Sequence, residues 1–490
     1  MEILWNGIEE IISYVFSHLA YINALFAVVI VFFQRKDPKS VWAWLLILYF
    51  IPVLGFVFYL LAGTDVYKAK LFRTKEIEDK LSDAIRRQES SIRNKGIPES
   101  YPEMKDYEDL ILYNLQTAGA VISDDNEVEI IVDGKEKFRK LFADLEGACK
   151  SIHIQYYIIK DDEIFGEMTE ILKRKVKQGV EVRVLFDAMG CRTMGRKKWR
   201  ELEEAGIETA EFFPAFFGRL QLRINYRNHR KIVVVDGQTA YVGGFNVARE
   251  YVGLDEKFGY WRDTHMRITG TAVQALQTRF ILDWNYANRK HIIPFEPYLA
   301  DSGKEQRTGS PVQIISSGPD THEKSIRDTY LRMIHKANKS IYIQTPYFIP
   351  DEAIFSALLI ATRSGIEVNI MIPCKPDHPF VYWATYSYIG ELVLAGANCY
   401  TYNNGFIHAK GILVDEEVLC YGTANMDIRS FGLNFEVNAV IYDRKKAAEM
   451  AAYFREDLKV SQRITKNGYL SRPLWQRIKE QVCRLFSPVL

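Results

Sequence analysis

One pattern in this chain occurs twice and restricts its architecture more than anything else in the sequence. Asn228 to Asn246 reads NHRKIVVVDGQTAYVGGFN, and Ile407 to Asn425 reads IHAKGILVDEEVLCYGTAN. His229, Lys231, Asp236, Gly243 and Asn246 in the first stretch match His408, Lys410, Asp415, Gly422 and Asn425 in the second. Each stretch reads as a strand, a turn at the aspartate and a second strand. The histidine and lysine are two residues apart, so on a strand both project from one face. A single H-x-K-x4-D match could be a surface lysine beside a packed histidine. Two matches with the same glycine and asparagine spacing, in a chain with nine histidines, are not accidental.

The repetition extends beyond the motif. SIHIQYYII (Ser151 to Ile159) parallels SIYIQTPYFI (Ser340 to Ile349), which aligns Gln155 with Gln344. GVEVRVLFD (Gly179 to Asp187) parallels GIEVNIMIP (Gly365 to Pro373), and ELEEAG (Glu201 to Gly206) parallels ELVLAG (Glu391 to Gly396). Each half therefore reads strand, helix, strand, helix and then the motif strand. That order predicts an α/β fold, with a mixed, mostly parallel sheet flanked by helices. Packed face to face, two such halves bring both motif strands to a single cleft holding two histidines and two lysines.

Those four side chains suit the breaking of a phosphodiester without a metal. One histidine attacks phosphorus. The other protonates the leaving alcohol and then deprotonates the incoming one. Lys231 and Lys410 neutralise the phosphoryl oxygens, and Asn246 and Asn425 are placed to donate further hydrogen bonds to them. Glu250 and Glu436 follow the two motifs and are candidates to orient the histidines through their ring nitrogens. Asp236 and Asp415 sit past the strands, and are expected to hold the partner-half histidine or the local turn. The motifs alone leave the two histidines equivalent.

At 490 residues the chain has room for two or three domains. Its net charge of +1 offers no general pull on polyanions, which argues against a nuclease. Six scattered cysteines show no metal-ligand spacing, and no zinc or calcium loop is present; this predicts buried thiols in a reducing compartment. Residues 11–33 and 41–61 are apolar and long enough to cross a bilayer. Glu2, Glu9 and Glu10 before the first do not suit a cleaved signal. Pro52 and Gly55 in the second allow a kinked span or a re-entrant hairpin. The basic cluster Lys68, Lys70, Arg73, Lys75 and Lys80 exceeds Arg35, Lys36 and Lys39 in the link, which places the large domain on the cytoplasmic side.

The expected division is a membrane region 1–63, a charged connector 64–125, a first catalytic half 126–295 (motif 223–250), a second half 310–465 (motif 403–430), and a C-terminal amphipathic helix 466–490. The segment EFFPAFFGR (Glu211 to Arg219) is expected to be core, with a lipid-facing cleft rim as the alternative. For the C-terminal helix, anionic lipid and the catalytic domain compete as the surface it covers.

The paired motifs resemble those of the phospholipase D superfamily. FQRKDPKSVWAWLLILYFIPVLGFVFYLLAG, NYRNHRKIVVVDG, SYIGELVLAGANCYTYNNGFIHAK and NMDIRSFGLNFEV are similar to bacterial cardiolipin synthases, over roughly Val29 to Glu456. The resemblance implies duplicated phospholipase D-like domains sharing one active site behind two transmembrane helices. It implies a bacterial membrane protein that needs no cofactor, acts on phosphatidylglycerol among anionic lipids, and does not bind nucleic acid. It assigns His229 as the nucleophile that becomes a phosphohistidine and His408 as the acid/base, and it groups Asp236 and Asp415 with the active site. The implied reaction joins two phosphatidylglycerols into cardiolipin and glycerol. The alternative is hydrolysis to phosphatidic acid by the same machinery.

Overall fold

The computed structural model describes residues 75–97, 102–214, 226–298, 309–321 and 323–487, with 38–51 and scattered positions (His18, Tyr21, 24–28, Gly55) before them. They fall into two compact units, 1–69 with 214–226, and 70–213 with 227–490. In the first unit a helix runs Pro38–Phe50. It exposes Trp42, Leu46, Tyr49 and Phe50 and buries Leu48. No helix among the described residues is long and apolar enough to cross a membrane. Much of both expected spans, 11–33 and 41–61, lies outside the described residues.

The second unit is built twice. Its first half contains β1 (Ile122–Asp133), α1 (Gly134–Gly147), β2 (Ser151–Tyr156), α2 (Glu163–Lys177), β3 (Glu181–Asp187), α3 (Arg196–Glu204), β4 (Glu208–Phe212), β5 (Ile232–Val235), β6 (Thr239–Gly243), β7 (Trp261–Thr269) and α4 (Ala272–Ala287). The second half repeats that order with β8 (Ser310–Ser317), α5 (Ser325–Lys336), β9 (Ser340–Gln344), α6 (Glu352–Arg363), β10 (Glu367–Pro373), α7 (Pro379–Ala395), β11 (Asn398–Tyr402), β12 (Gly411–Val414), β13 (Val418–Gly422), β14 (Asn434–Ile441) and α8 (Arg444–Lys459). Aspartates start several of the helices: Asp133, Asp162, Asp351 and Asp443 each accept from the first-turn amides, filling orphan donors.

Strand order is 1-7-6-5-2-3-4 in the first half and 8-14-13-12-9-10-11 in the second, and β1 pairs with β8. The sheet is mixed, as expected, but it is not mostly parallel. Within each half only β2–β3–β4 and β9–β10–β11 run parallel. The reason is local, because the motif strand returns through a tight turn, and such a turn can only join antiparallel neighbours. Strands β4 and β11, between the second helix and the motif strand, are additions to the expected order.

Alternation along the motif strands explains how the halves meet. Val233 and Val235 pack with the helices of their own half. Ile232 and Val234 point the other way, into a core shared with Leu413, Leu419, Tyr421, Val437 and Ala439 of the second half. The period of two on a strand buried on both faces serves both cores. The connector is more than a linker. Its helix Glu108–Ala118 buries Leu110, Ile111 and Leu115, and Leu110 and Ile111 join the core of the second half.

Candidate active site

Two short parallel pairings bring the halves together beside the motif histidines. Arg227 and Asn228 pair with Asn434 and Phe435, and the His229 amide donates to the Phe435 carbonyl at 2.9 Å. Phe406 and Ile407 pair with Trp261 and Arg262, and the His408 amide donates to the Arg262 carbonyl at 2.7 Å. The next residue along each partner strand is acidic. Glu436 therefore lies beside His229, with both carboxylate oxygens 3.0 Å from Nδ1. Asp263 lies beside His408, with Oδ2 2.6 Å from Nδ1. Each half holds the other half's histidine.

A carboxylate can only accept, so His229 Nδ1 carries the proton and its Nε2 presents a lone pair; His408 Nδ1 faces both Asp263 and Lys410 Nζ, the latter at 2.6 Å. Glu436 is fully buried and also accepts from Thr423 Oγ1 at 2.6 Å and Asn434 Nδ2 at 3.2 Å. Burial pushes its carboxyl up, but His229 and Lys231 outweigh that and hold it below the ordinary range. Asp263 is held down in the same way by Lys410 and His408. Burial lowers the pKa of His229, with Glu436 opposing. Burial and Lys410 bring His408 down to about 4. Both shifts favour the neutral imidazole near pH 7.

Lys231 and Lys410 are fully buried, and each donates to the carbonyl of the histidine two residues before it. Lys410 Nζ lies 3.8 Å from Asp263. Desolvation pushes Lys231 down to about 7 and Lys410 to about 8, against the pull of Glu436 and Asp263. The lysines are charged below these values and neutral above. If their charge is needed to receive a phosphodiester, kcat/KM should fall as pH rises through 7 to 8, because that ratio reports the free enzyme. A profile flat to pH 9.5 would mean either that the lysines stay charged there or that their charge is not needed. Tyr157 stacks edge-on against His229, with ring centroids 4.9 Å apart, and Trp261 lies 5.1 Å from His408. Among the described residues no cluster of histidine, cysteine and carboxylate side chains could hold a metal ion. All six cysteines are free; four are buried as expected, but Cys149 is exposed and Cys374 half-buried.

The structure moves several expected residues out of the site. Asp236 accepts from the amides of Cys149, Lys150 and Ser151 at 2.7–2.9 Å. Asp415 does the same for Asn338, Lys339 and Ser340 at 2.7–2.8 Å. Both tie the motif turn to the start of the neighbouring strand, on the order of 20 Å along the strand from the histidine. They hold the local turn and not the partner-half histidine. Asp236→Ala should cost about 2–4 kcal/mol of stability through three lost charge-assisted bonds. Turnover of the folded fraction should change little, and thermal melts beside initial rates will read both. An inactive but equally stable variant would return Asp236 to the chemistry.

Glu250 pairs with Lys160 at 2.5 Å and not with a histidine. Asn246 Nδ2 donates to Tyr251 at 2.8 Å, and Asn425 hydrogen-bonds Asp427; each amide nitrogen keeps a second N–H beyond that contact. Phe212 and Phe213 of the aromatic segment are core, packed on Phe435 and Tyr286; Phe216 and Phe217 lie outside the described residues. Asp263 was missed in the sequence. Its signal is that Gly259 to Asp263 and Gly432 to Glu436 share one spacing. Backbone space at the site is tight: a Cβ on Gly244 would lie 1.9 Å from Asp263 Oδ1, so only glycine fits behind that carboxylate.

Comparison with known proteins bears on the same residues. The family described as "Cardiolipin synthase, PLD-like domain" matches residues 141–284 and 330–458. The family described as "Phospholipase_D-nuclease N-terminal" matches residues 22–63. The chain is 50% identical over 483 residues to the "Major cardiolipin synthase ClsA" of Bacillus subtilis, covering 98% of this chain and 100% of that protein. It is 45% identical over 482 residues to a cardiolipin synthase of Listeria innocua, with the same coverage of both chains. Among solved structures, the phosphatidylserine synthase of Haemophilus influenzae shares the fold, with a TM-score of 0.58 and 15% identity over 79% of this chain and 97% of that one.

Proposed function

The chain belongs to the cardiolipin synthase family with phospholipase D-like domains, and from that premise we propose that it joins two phosphatidylglycerols into cardiolipin. The observation that carries this reading is the reciprocal pairing of His229 with Glu436 and His408 with Asp263. Neither half can assemble a complete site alone. His229 Nε2 attacks phosphorus, and the P–O bond to glycerol breaks as the P–N bond forms. Glu436 stabilises the cation that develops on the ring. Lys231 and Lys410 take up the charge on the non-bridging oxygens.

The leaving glycerol takes a proton from His408. Its pKa of about 4 comes first from burial and then from Lys410, which opposes protonation; an anionic phosphodiester beside Lys410 offsets the second of these. Glycerol then departs, and neutral His408 removes the proton from the terminal hydroxyl of a second phosphatidylglycerol as that oxygen displaces His229. The protein is placed in the bacterial cell membrane by two N-terminal spans, with this unit on the cytoplasmic side. On membranes of phosphatidylglycerol, cardiolipin and free glycerol should appear in equal amounts, read by mass spectrometry of both products. Phosphatidic acid as the main product would replace the synthase reading with a hydrolase.

A further inference from the structure

The helix α9 (Leu474–Leu485) packs with the wrong side inward for an ordinary surface helix, which turns its apolar stripe to the core. Its inward side is partly ionic. Glu480 is fully buried and held by Arg472 Nε at 2.9 Å. Arg484 pairs with Glu391 and lies over the Tyr388 ring, both on α7. Cys483 fills the remaining contact against Ala384, Val381 and Trp383.

The outward side is apolar. Leu474 is 72% exposed, Trp475 65%, Ile478 44%, Val482 44%, Leu485 80% and Phe486 48%. Leu474, Ile478, Val482 and Leu485 fall on one stripe by helical spacing. Contiguous exposed apolar surface of this kind marks something that covers it. The charge around the stripe says what. Residues 466–487 carry Lys466, Arg472, Arg477, Lys479 and Arg484 against one acid, Glu480; Arg472 is paired with the buried Glu480 and Arg484 with Glu391, which leaves Lys466, Arg477 and Lys479 as the uncompensated charge. Lys479 reaches over the Trp475 ring, 5.6 Å from its centroid. The exposed face therefore offers apolar side chains and positive charge with no acidic residue between them. A lipid surface with anionic headgroups fits both parts. A second copy of this chain packed on the same face would set that positive charge against itself.

We propose that α9 lies in the headgroup interface of an anionic bilayer, with its ionic side fastened to the catalytic unit. The inference stands on surface chemistry and does not depend on which reaction the site performs. The full chain is reconstituted in vesicles of phosphatidylcholine with one third phosphatidylglycerol. Leu474→Cys or Val482→Cys, in a Cys149→Ser, Cys374→Ser background, carries an environment-sensitive fluorophore. Lipids spin-labelled high on the acyl chain should quench these probes several-fold more than one at Lys445→Cys. A Trp475→Ser, Leu485→Ser variant should show a several-fold higher KM on vesicles and unchanged turnover of a short-chain, soluble phosphatidylglycerol. Absence of quenching in vesicles that still turn over lipid overturns the proposal. Concentration-dependent self-quenching in detergent without lipid quenching overturns it too, in favour of a second copy on this face.

Discussion

With a nitrophenyl phosphatidyl ester as substrate, His408→Ala should release about one nitrophenolate per active site and then stop. Nitrophenolate leaves without needing a proton, so the first step can proceed when the acid is missing. Neither the 3.0 Å contact of His229 with Glu436 nor the bond from Lys231 involves His408, so the substitution should leave the nucleophile intact. The second step stalls because nothing accepts the proton of the incoming alcohol. His229→Ala should give no burst, since no leaving group can compensate for a missing nucleophile. A burst in His229→Ala and none in His408→Ala would exchange the two roles. Loss of the burst in both would mean that the histidines act as one unit.

Glu436→Gln should lower turnover by roughly a thousandfold or more, by analogy with amide replacement of the carboxylate in other carboxylate–histidine pairs. The replacement is isosteric, so the cause is protonation and not shape. Glu436 accepts from His229, Thr423 and Asn434 at once. A glutamine must turn its amide nitrogen towards one of those donors. Where that nitrogen faces Nδ1, it favours the ring tautomer that places the proton on Nε2, where attack on phosphorus is impossible. The burst itself should be slow in Glu436→Gln. In Asp263→Asn the burst should survive and the following step should slow, because that residue serves His408. Activity in Glu436→Gln within a few-fold of the wild type, with normal folding, would reduce Glu436 to packing.

The contrast between these two carboxylates also shows what could be read from the chain beforehand. The paired histidines and lysines were legible because one motif recurs with fixed spacing, and period two puts them on one face. The duplication was legible for the same reason. Asp263 was not, because 17 residues separate it from Asn246 whereas 11 separate Glu436 from Asn425. The six additional residues of the first half hide the equivalence until the strands are aligned. Asp236 and Asp415 belong to the motif in sequence yet act at the far end of the sheet. Spacing marks them as paired with the histidines without saying that their partners are amides. Strands β4 and β11, ETAEF and NCYTY, are five residues each, too short for alternation to distinguish them from the loops they follow. The antiparallel motif hairpins were implicit in the Asp236-Gly237 turn, although the strand–helix alternation pointed to a more parallel sheet.

In this mechanism His229 carries the phosphatidyl group between the two lipids. Stalled His408→Ala, quenched at alkaline pH and digested, should yield a peptide containing His229 heavier by one phosphatidyl group in mass spectrometry. The peptide containing position 408 should be unmodified, and wild type quenched during turnover should show the same adduct at lower occupancy. A phosphatidyl adduct on another residue, or none in a variant that has released its burst of nitrophenolate, would contradict it.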